Sequence, residues 1–182
     1  LNTLYRYTRT AITLHWAVAA LIFATFPLGV YMHDLTLSPH KLRLYSYHKW
    51  IGVTIFLLAV LRVAWRGTHS PPPLPAAMPR WEKLAANTVH YLLYALIFIV
   101  PLSGWLMSSA KGVQTVWFGV LPLPDLLAKN KELGDLLKEV HEGLNFAMFG
   151  LVLAHIGAAL KHHFIERDEI LARMIPFLGR GA

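Results

Sequence analysis

The sequence contains no cysteine. That excludes disulfides, thiolate-held metals, cysteine-ligated iron–sulfur clusters and covalent attachment of a c-type haem. Charge is scarce as well. Asp, Glu, Lys and Arg make up 15% of the residues, whereas a soluble domain carries about 25%. There is no internal repeat, no low-complexity tract and none of the short polar/apolar alternation of a barrel strand. What is present is hydrophobic sequence, 55% of the chain, gathered into long blocks. This pattern predicts an integral membrane protein.

Four blocks meet the length of a membrane span, about 20 mainly apolar residues. They cover roughly residues 11–32, 47–66, 88–108 and 141–163. The first is too long for a signal-peptide core of about 7–15 residues and is read as a retained membrane helix. The chain opens on Leu1 rather than Met, which leads us to expect residues missing or processed ahead of it. Between the second and third blocks lies "GTHSPPPLPAAMPRWEK", a proline-rich linker that cannot continue a helix. Residues 109–140 contain "LPLPDLLAKNKELGDLLKEV", which predicts a short amphipathic helix on the membrane surface. The expected architecture is an all-α, four-helix membrane bundle formed by residues 1–182 as one domain.

The net charge is +7 with histidine neutral. The basic residues gather at the ends of the apolar blocks, where they meet lipid headgroups. They form no continuous basic face, so nucleic acid is not an expected partner. Placing both termini and the 67–87 linker on one side gives that side ten Lys and Arg residues: Arg6, Arg9, Arg62, Arg66, Arg80, Lys83, Lys161, Arg167, Arg173 and Arg180. The other side has seven, namely Lys41, Arg43, Lys49, Lys111, Lys129, Lys131 and Lys138. The positive-inside rule then puts both termini in the cytoplasm.

The chain has ten histidines, and each span has one near its start: His15, His48, His90 and His141. The fourth span has a second, His155. An ionisable side chain in hydrocarbon is costly unless it is held. With the orientation above, His48 and His141 lie near the outer surface, and His15, His90 and His155 near the cytoplasmic one. The fourteen residues from His141 to His155 rise about 21 Å and end within about 40° of the starting direction. The two therefore face the same way at two depths. An outer site can use His48 with His141, and an inner site His155 with His15 or His90.

Two opposed imidazoles suit the axial positions of a haem iron better than zinc, which takes four tetrahedral ligands. Ala17, Ala20, Gly52, Gly150 and Gly157 are small enough to leave room for a flat macrocycle, although small residues also serve helix packing. Arg62 and Arg66 can meet haem propionates or act as orientation anchors. His162 continues the stripe of His155 and can line a quinone pocket, or it can be a solvated helix end. His33, His40 and His69 fall in loops and read as surface residues, and His163 is assigned no chemistry. "PLSGW", Pro101 to Trp105, reads as a structural kink.

Taken together, "LHW" at Leu14–Trp16, "HKWIG" at His48–Gly52, "LRVAWR" at Leu61–Arg66, "VHYLLY" at Val89–Tyr94, "PLSGW" and "HEGLN" followed by "AHIGAALKHH" resemble the bacterial cytochrome b561 family. These are four-helix, quinone-linked cytochromes that include a superoxide oxidase. The resemblance implies two non-covalent haem b groups, the inner on His15 and His155 and the outer on His48 and His141. It makes His90 a neighbour of the inner haem, and it implies a cytoplasmic ubiquinone site at His162. Bis-histidine iron has no open axial position, so it passes electrons and does not bind dioxygen. No residue is expected to be catalytic in its own right.

The expected function is electron transfer across the bacterial inner membrane between a periplasmic donor and the quinone pool. The donor is superoxide, which would make the protein an enzyme, or a periplasmic dehydrogenase or hydrogenase of which this chain is the membrane subunit. Lys41, Arg43, Lys49 and Lys111 can attract an anion. Asp34, Asp125, Glu132, Asp135, Glu139 and Glu142 share their side, and seven basic against six acidic residues leave it at +1. A histidine-lined metal transporter or a cofactor-free membrane protein is the remaining reading, and it predicts no Soret band.

Overall fold

The computed structural model describes residues 6–178. Leu1 and Arg180, used above in the readings of the chain start and of the charge balance, lie outside them. Four helices make up the body: α1 (Arg9–His33), α2 (Pro39–Thr68), α3 (Arg80–Ala110) and α4 (Lys131–Lys161). All four are long and apolar enough to cross a membrane. Each runs past its apolar block, and polar residues cap three of the four outside it. The side chains of Thr8, Ser38 and Asn130 accept from the backbone N–H groups of Ala11, Lys41 and Leu133. Pro79 precedes α3 without a side-chain cap.

The helices alternate in direction. The α1 and α2 backbones approach closely, as do those of α3 and α4, and α2 meets α3 over a smaller area. The molecule is therefore two helical hairpins joined by the proline-rich linker. Val18, Ile55, Ala59, Leu96, Ile97, Val100 and Met148 form the buried core at mid-length. Large apolar residues such as Phe23, Leu61, Leu92, Phe146 and Leu153 remain exposed around the outside. In water such a surface would be prohibitive; in hydrocarbon it is the expected one.

The third connection differs from the expected surface helix. Residues Lys131–Val140 form the first turns of α4 itself, since no proline separates them from the span. The remainder of the loop holds a small antiparallel ladder, β1 (Val116–Trp117) and β2 (Leu121–Pro122). Its turn carries Phe118 and Gly119 at positive φ, 50° and 73°. Indole and ammonium groups fix this loop on the bundle. The Trp50 Nε1–H donates to Val116 O (2.7 Å), Trp105 Nε1–H to Pro124 O (3.0 Å) and Lys49 Nζ to Val113 O (3.1 Å).

At the opposite end of the bundle, α4 passes into a π turn, His162–Glu166, followed by Arg167 in the left-handed region at φ 57°. The chain then crosses this end of the bundle. Trp16 Nε1–H donates to Met174 O (2.9 Å), and Arg173 Nη1 donates to Pro73 O of the linker (2.7 Å).

Candidate functional site: two tiers of imidazoles

The alternating helices bring the histidines together at two levels. At the hairpin end, His48 of α2 faces His141 of α4, with ring centres 6.2 Å apart and ring planes at 85°. At the terminal end, His15 of α1 faces His155 of α4, with centres 6.3 Å apart and planes at 62°. His90 of α3 also reaches His155, but at 5.2 Å. Two nitrogens bound on opposite sides of one metal ion at about 2 Å each put their ring centres roughly 6 Å apart. The first two pairs have that separation. The His90 pair is closer than that.

The hairpin-end rings are held in place through Nδ1. The Ser103 hydroxyl donates to Val100 O at 2.8 Å, so toward His141 Nδ1, 2.9 Å away, it can only accept. Val100 O, 3.1 Å from the same nitrogen, accepts as well. His141 Nδ1 therefore carries the hydrogen, and Nε2 keeps its lone pair for a ligand. His48 Nδ1 lies 3.1 Å from Thr25 Oγ1. A histidine whose Nδ1 is engaged while Nε2 is free is the usual arrangement behind a metal bond. At the other tier, His15 Nδ1 is buried with no partner among the described residues.

Glycines complete the supports. A Cβ on Gly29 would stand 3.2 Å from His48 Cε1, and one on Gly104 would stand 3.0 Å from His141 Cε1. Thr25 and Gly29 lie one helical turn apart on α1, and Ser103 and Gly104 are adjacent on α3. Each helical hairpin thus uses its first helix to seat the histidine of its second. Ser103 and Gly104 belong to "PLSGW", the stretch expected to form a structural kink. Beside Gly52, Gly150 and Gly157 an added Cβ would meet nothing among the described residues within 4 Å.

Arg62 and Arg66 both lie over the Tyr94 ring, at 5.2 and 5.3 Å, and Arg62 Nε donates to Tyr94 OH at 3.1 Å. Among the described residues neither arginine pairs with a carboxylate, so both can take an acidic group from outside the protein. Tyr7 sits beside this cluster: burial pushes its phenol above the ordinary range, against the opposing charges of Arg66, Arg173 and Arg62.

His33, His40 and His69 are exposed, as expected, but His33 and His40 do not lie in loops: His33 is the last residue of α1 and His40 falls in the first turn of α2, because both helices run past their apolar blocks. His162 is buried and does not end the helix in solvent. Ligand atoms of Glu82, His162 and Glu166 all lie within 4.8 Å of one another. Lys161 Nζ binds both carboxylates, at 2.8 and 2.6 Å, so the set is an ion-pair network.

Fold and site together define a membrane-spanning helical bundle with paired imidazoles at two depths, a protein of electron-transfer type. The chain belongs to the prokaryotic cytochrome b561 family, whose sequence profile matches residues 6–177. It is 36% identical over 178 residues to cytochrome b561 homolog 2 of Escherichia coli K12, covering 96% of this chain and 93% of the relative. It is 29% identical over 180 residues to cytochrome b561 homolog 1 of the same organism, covering 94% and 97%. It is 26% identical over 172 residues to the probable superoxide oxidase CybB of Yersinia pestis, covering 94% and 96%. The protein is a multi-pass protein of the inner membrane.

Proposed function

We propose that the protein is a di-haem b-type cytochrome carrying electrons between a periplasmic donor and the quinone pool, with residues 1–182 acting as one unit and both termini cytoplasmic. The carrying observation is the equal spacing of the two imidazole pairs, 6.2 and 6.3 Å, at opposite ends of one bundle. His48 and His141 hold the outer haem, and His15 and His155 the inner one. When bound, each haem supplies a one-electron couple. The chain's own residues do the rest. Ser103, the Val100 carbonyl and Thr25 orient the outer rings, Arg62 and Arg66 receive the inner propionates, and the Trp-pinned third loop covers the outer end. His162 serves a ubiquinone site on the cytoplasmic side.

Superoxide as donor is supported by the likeness to the probable superoxide oxidase of Yersinia pestis. The carrier reading, a membrane subunit for a periplasmic dehydrogenase or hydrogenase, is supported by the weak outer charge, which offers an anion little steering. A pyridine haemochrome assay tests the haem reading: two haems per chain are expected, and a colourless chain after haem-replete expression overturns it. Stopped-flow haem reduction separates the donors. Diffusion-limited reduction by superoxide identifies the enzyme, and sluggish reduction identifies the carrier.

A further inference from the structure

Among the described residues His162 is the one buried histidine, and carboxylates hold it; the exposed His33 also meets two, Asp34 and Glu142. Its Nδ1 is 2.5 Å from Glu166 Oε2 and 2.8 Å from Asp168 Oδ2. Carboxylates of this kind only accept, so Nδ1 keeps its hydrogen, and any proton the ring exchanges passes through Nε2. The imidazole is buried, while Asp168 and Glu166 side chains are 24% and 30% exposed. The acids thus fix the orientation of a buried ring from the edge of the water. Lys161 and Glu82 complete the surroundings: Lys161 Nζ bridges Glu82 of α3 to Glu166 at 2.8 and 2.6 Å.

The backbone is bent to make this contact. A plain helix would carry Asp168 past His162. Here the π turn and the left-handed Arg167 fold the chain back, with Arg167 N–H and Asp168 N–H both donating to His162 O. A non-glycine residue in that region costs about 1–2 kcal/mol. π turns and strain of this kind collect at functional sites. A simple ion pair at a helix end needs neither, and Lys161 already supplies one.

We infer that His162, held in orientation by Asp168 and Glu166, delivers protons to a quinone on the cytoplasmic side. This rests on the reading of His162 as part of the quinone site. Reduction of a quinone to its quinol takes two electrons and two protons. Haems held by His15 with His155 and by His48 with His141 would supply the electrons one at a time. For each, the N–H bond at His162 Nε2 breaks and an O–H bond forms on a quinone oxygen. The ring then regains a proton from bulk water, with Asp168 and Glu166 holding Nδ1–H throughout. His162 is the catalytic residue of this step, and Asp168 and Glu166 are positioning residues.

The test uses the full-length holoprotein and decylubiquinol, which drives the reaction in reverse by reducing the haems. Asp168→Asn is expected to slow this step about tenfold or more, to enlarge its solvent deuterium isotope effect and to alter its pH profile. Haem content and reduction by dithionite should stay unchanged, and Asp168→Glu should restore the rate. Should Asp168→Asn lose haem, Glu166→Gln carries the same expectations. A variant with the wild-type rate and pH profile overturns the proposal, as does a slowed variant with an unaltered isotope effect and pH profile. A wild-type protein that accepts no electrons from decylubiquinol overturns the quinone reading beneath it.

Discussion

Adding one methyl group at Gly104 tests the outer site most sharply. The Cβ of an alanine there would stand 3.0 Å from His141 Cε1 and 3.4 Å from Nδ1. Carbon atoms rest at about 3.5–4.0 Å, so about 0.5 Å must be found. The ring cannot supply it freely, because Nδ1 is tied to Val100 O and Ser103 Oγ on the same helix. Either those hydrogen bonds stretch or α3 and α4 part. Overpacking of this size costs about 1–3 kcal/mol. If it falls on the ligand-bound geometry, haem affinity at that tier drops about 5- to 140-fold. The assay is the haem-to-protein ratio during a dilution series, with Gly67→Ala as control because a Cβ there meets nothing within 4 Å. We expect Gly104→Ala to fall from two haems toward one while the control keeps both. Full loading of Gly104→Ala at every dilution, with an unaltered outer spectrum, refutes the cradle.

Three further outcomes follow from the geometry. His15→Ala should remove one haem while His90→Ala retains both, since only His15 stands at the 6.3 Å separation from His155; the haemochrome ratio reads this directly. The ring planes of His48 and His141, at 85°, predict a strongly anisotropic low-spin ferric signal for the outer centre in electron paramagnetic resonance. Arg167→Gly removes the left-handed penalty at φ 57° and should raise stability by up to about 1 kcal/mol, seen as a higher midpoint in thermal loss of the Soret band.

The four spans were legible because apolar blocks of membrane length admit few alternatives. Their ends were not, since helices run on through polar caps such as Ser38 and Asn130 that a hydropathy window ignores. The β1–β2 ladder was hidden for a related reason. Two-residue strands have no period to detect, and what holds this loop is indole N–H groups of Trp50 and Trp105 reaching backbone carbonyls. The histidine tiers could be read because helical rise and twist alone place His141 and His155 on one face. Rise and twist alone left His15 and His90 both open as partners of His155; the family resemblance implied His15, and the separations of 6.3 and 5.2 Å are in keeping with it. The seats of the outer rings were invisible for a stronger reason. Thr25 meets His48 from another helix, and Ser103 meets His141 across 38 residues of chain. Nothing along the sequence marks such a meeting.

The two hairpins, α1–α2 and α3–α4, each contribute one imidazole to each tier. If iron joins these imidazoles as proposed, both prosthetic groups act as rivets between the same two halves. The polypeptide link between those halves is a stretch rich in proline. Stripping the haems should then let the halves swing apart while each stays folded on itself, so that assembly of the finished molecule becomes limited by supply of the pigment.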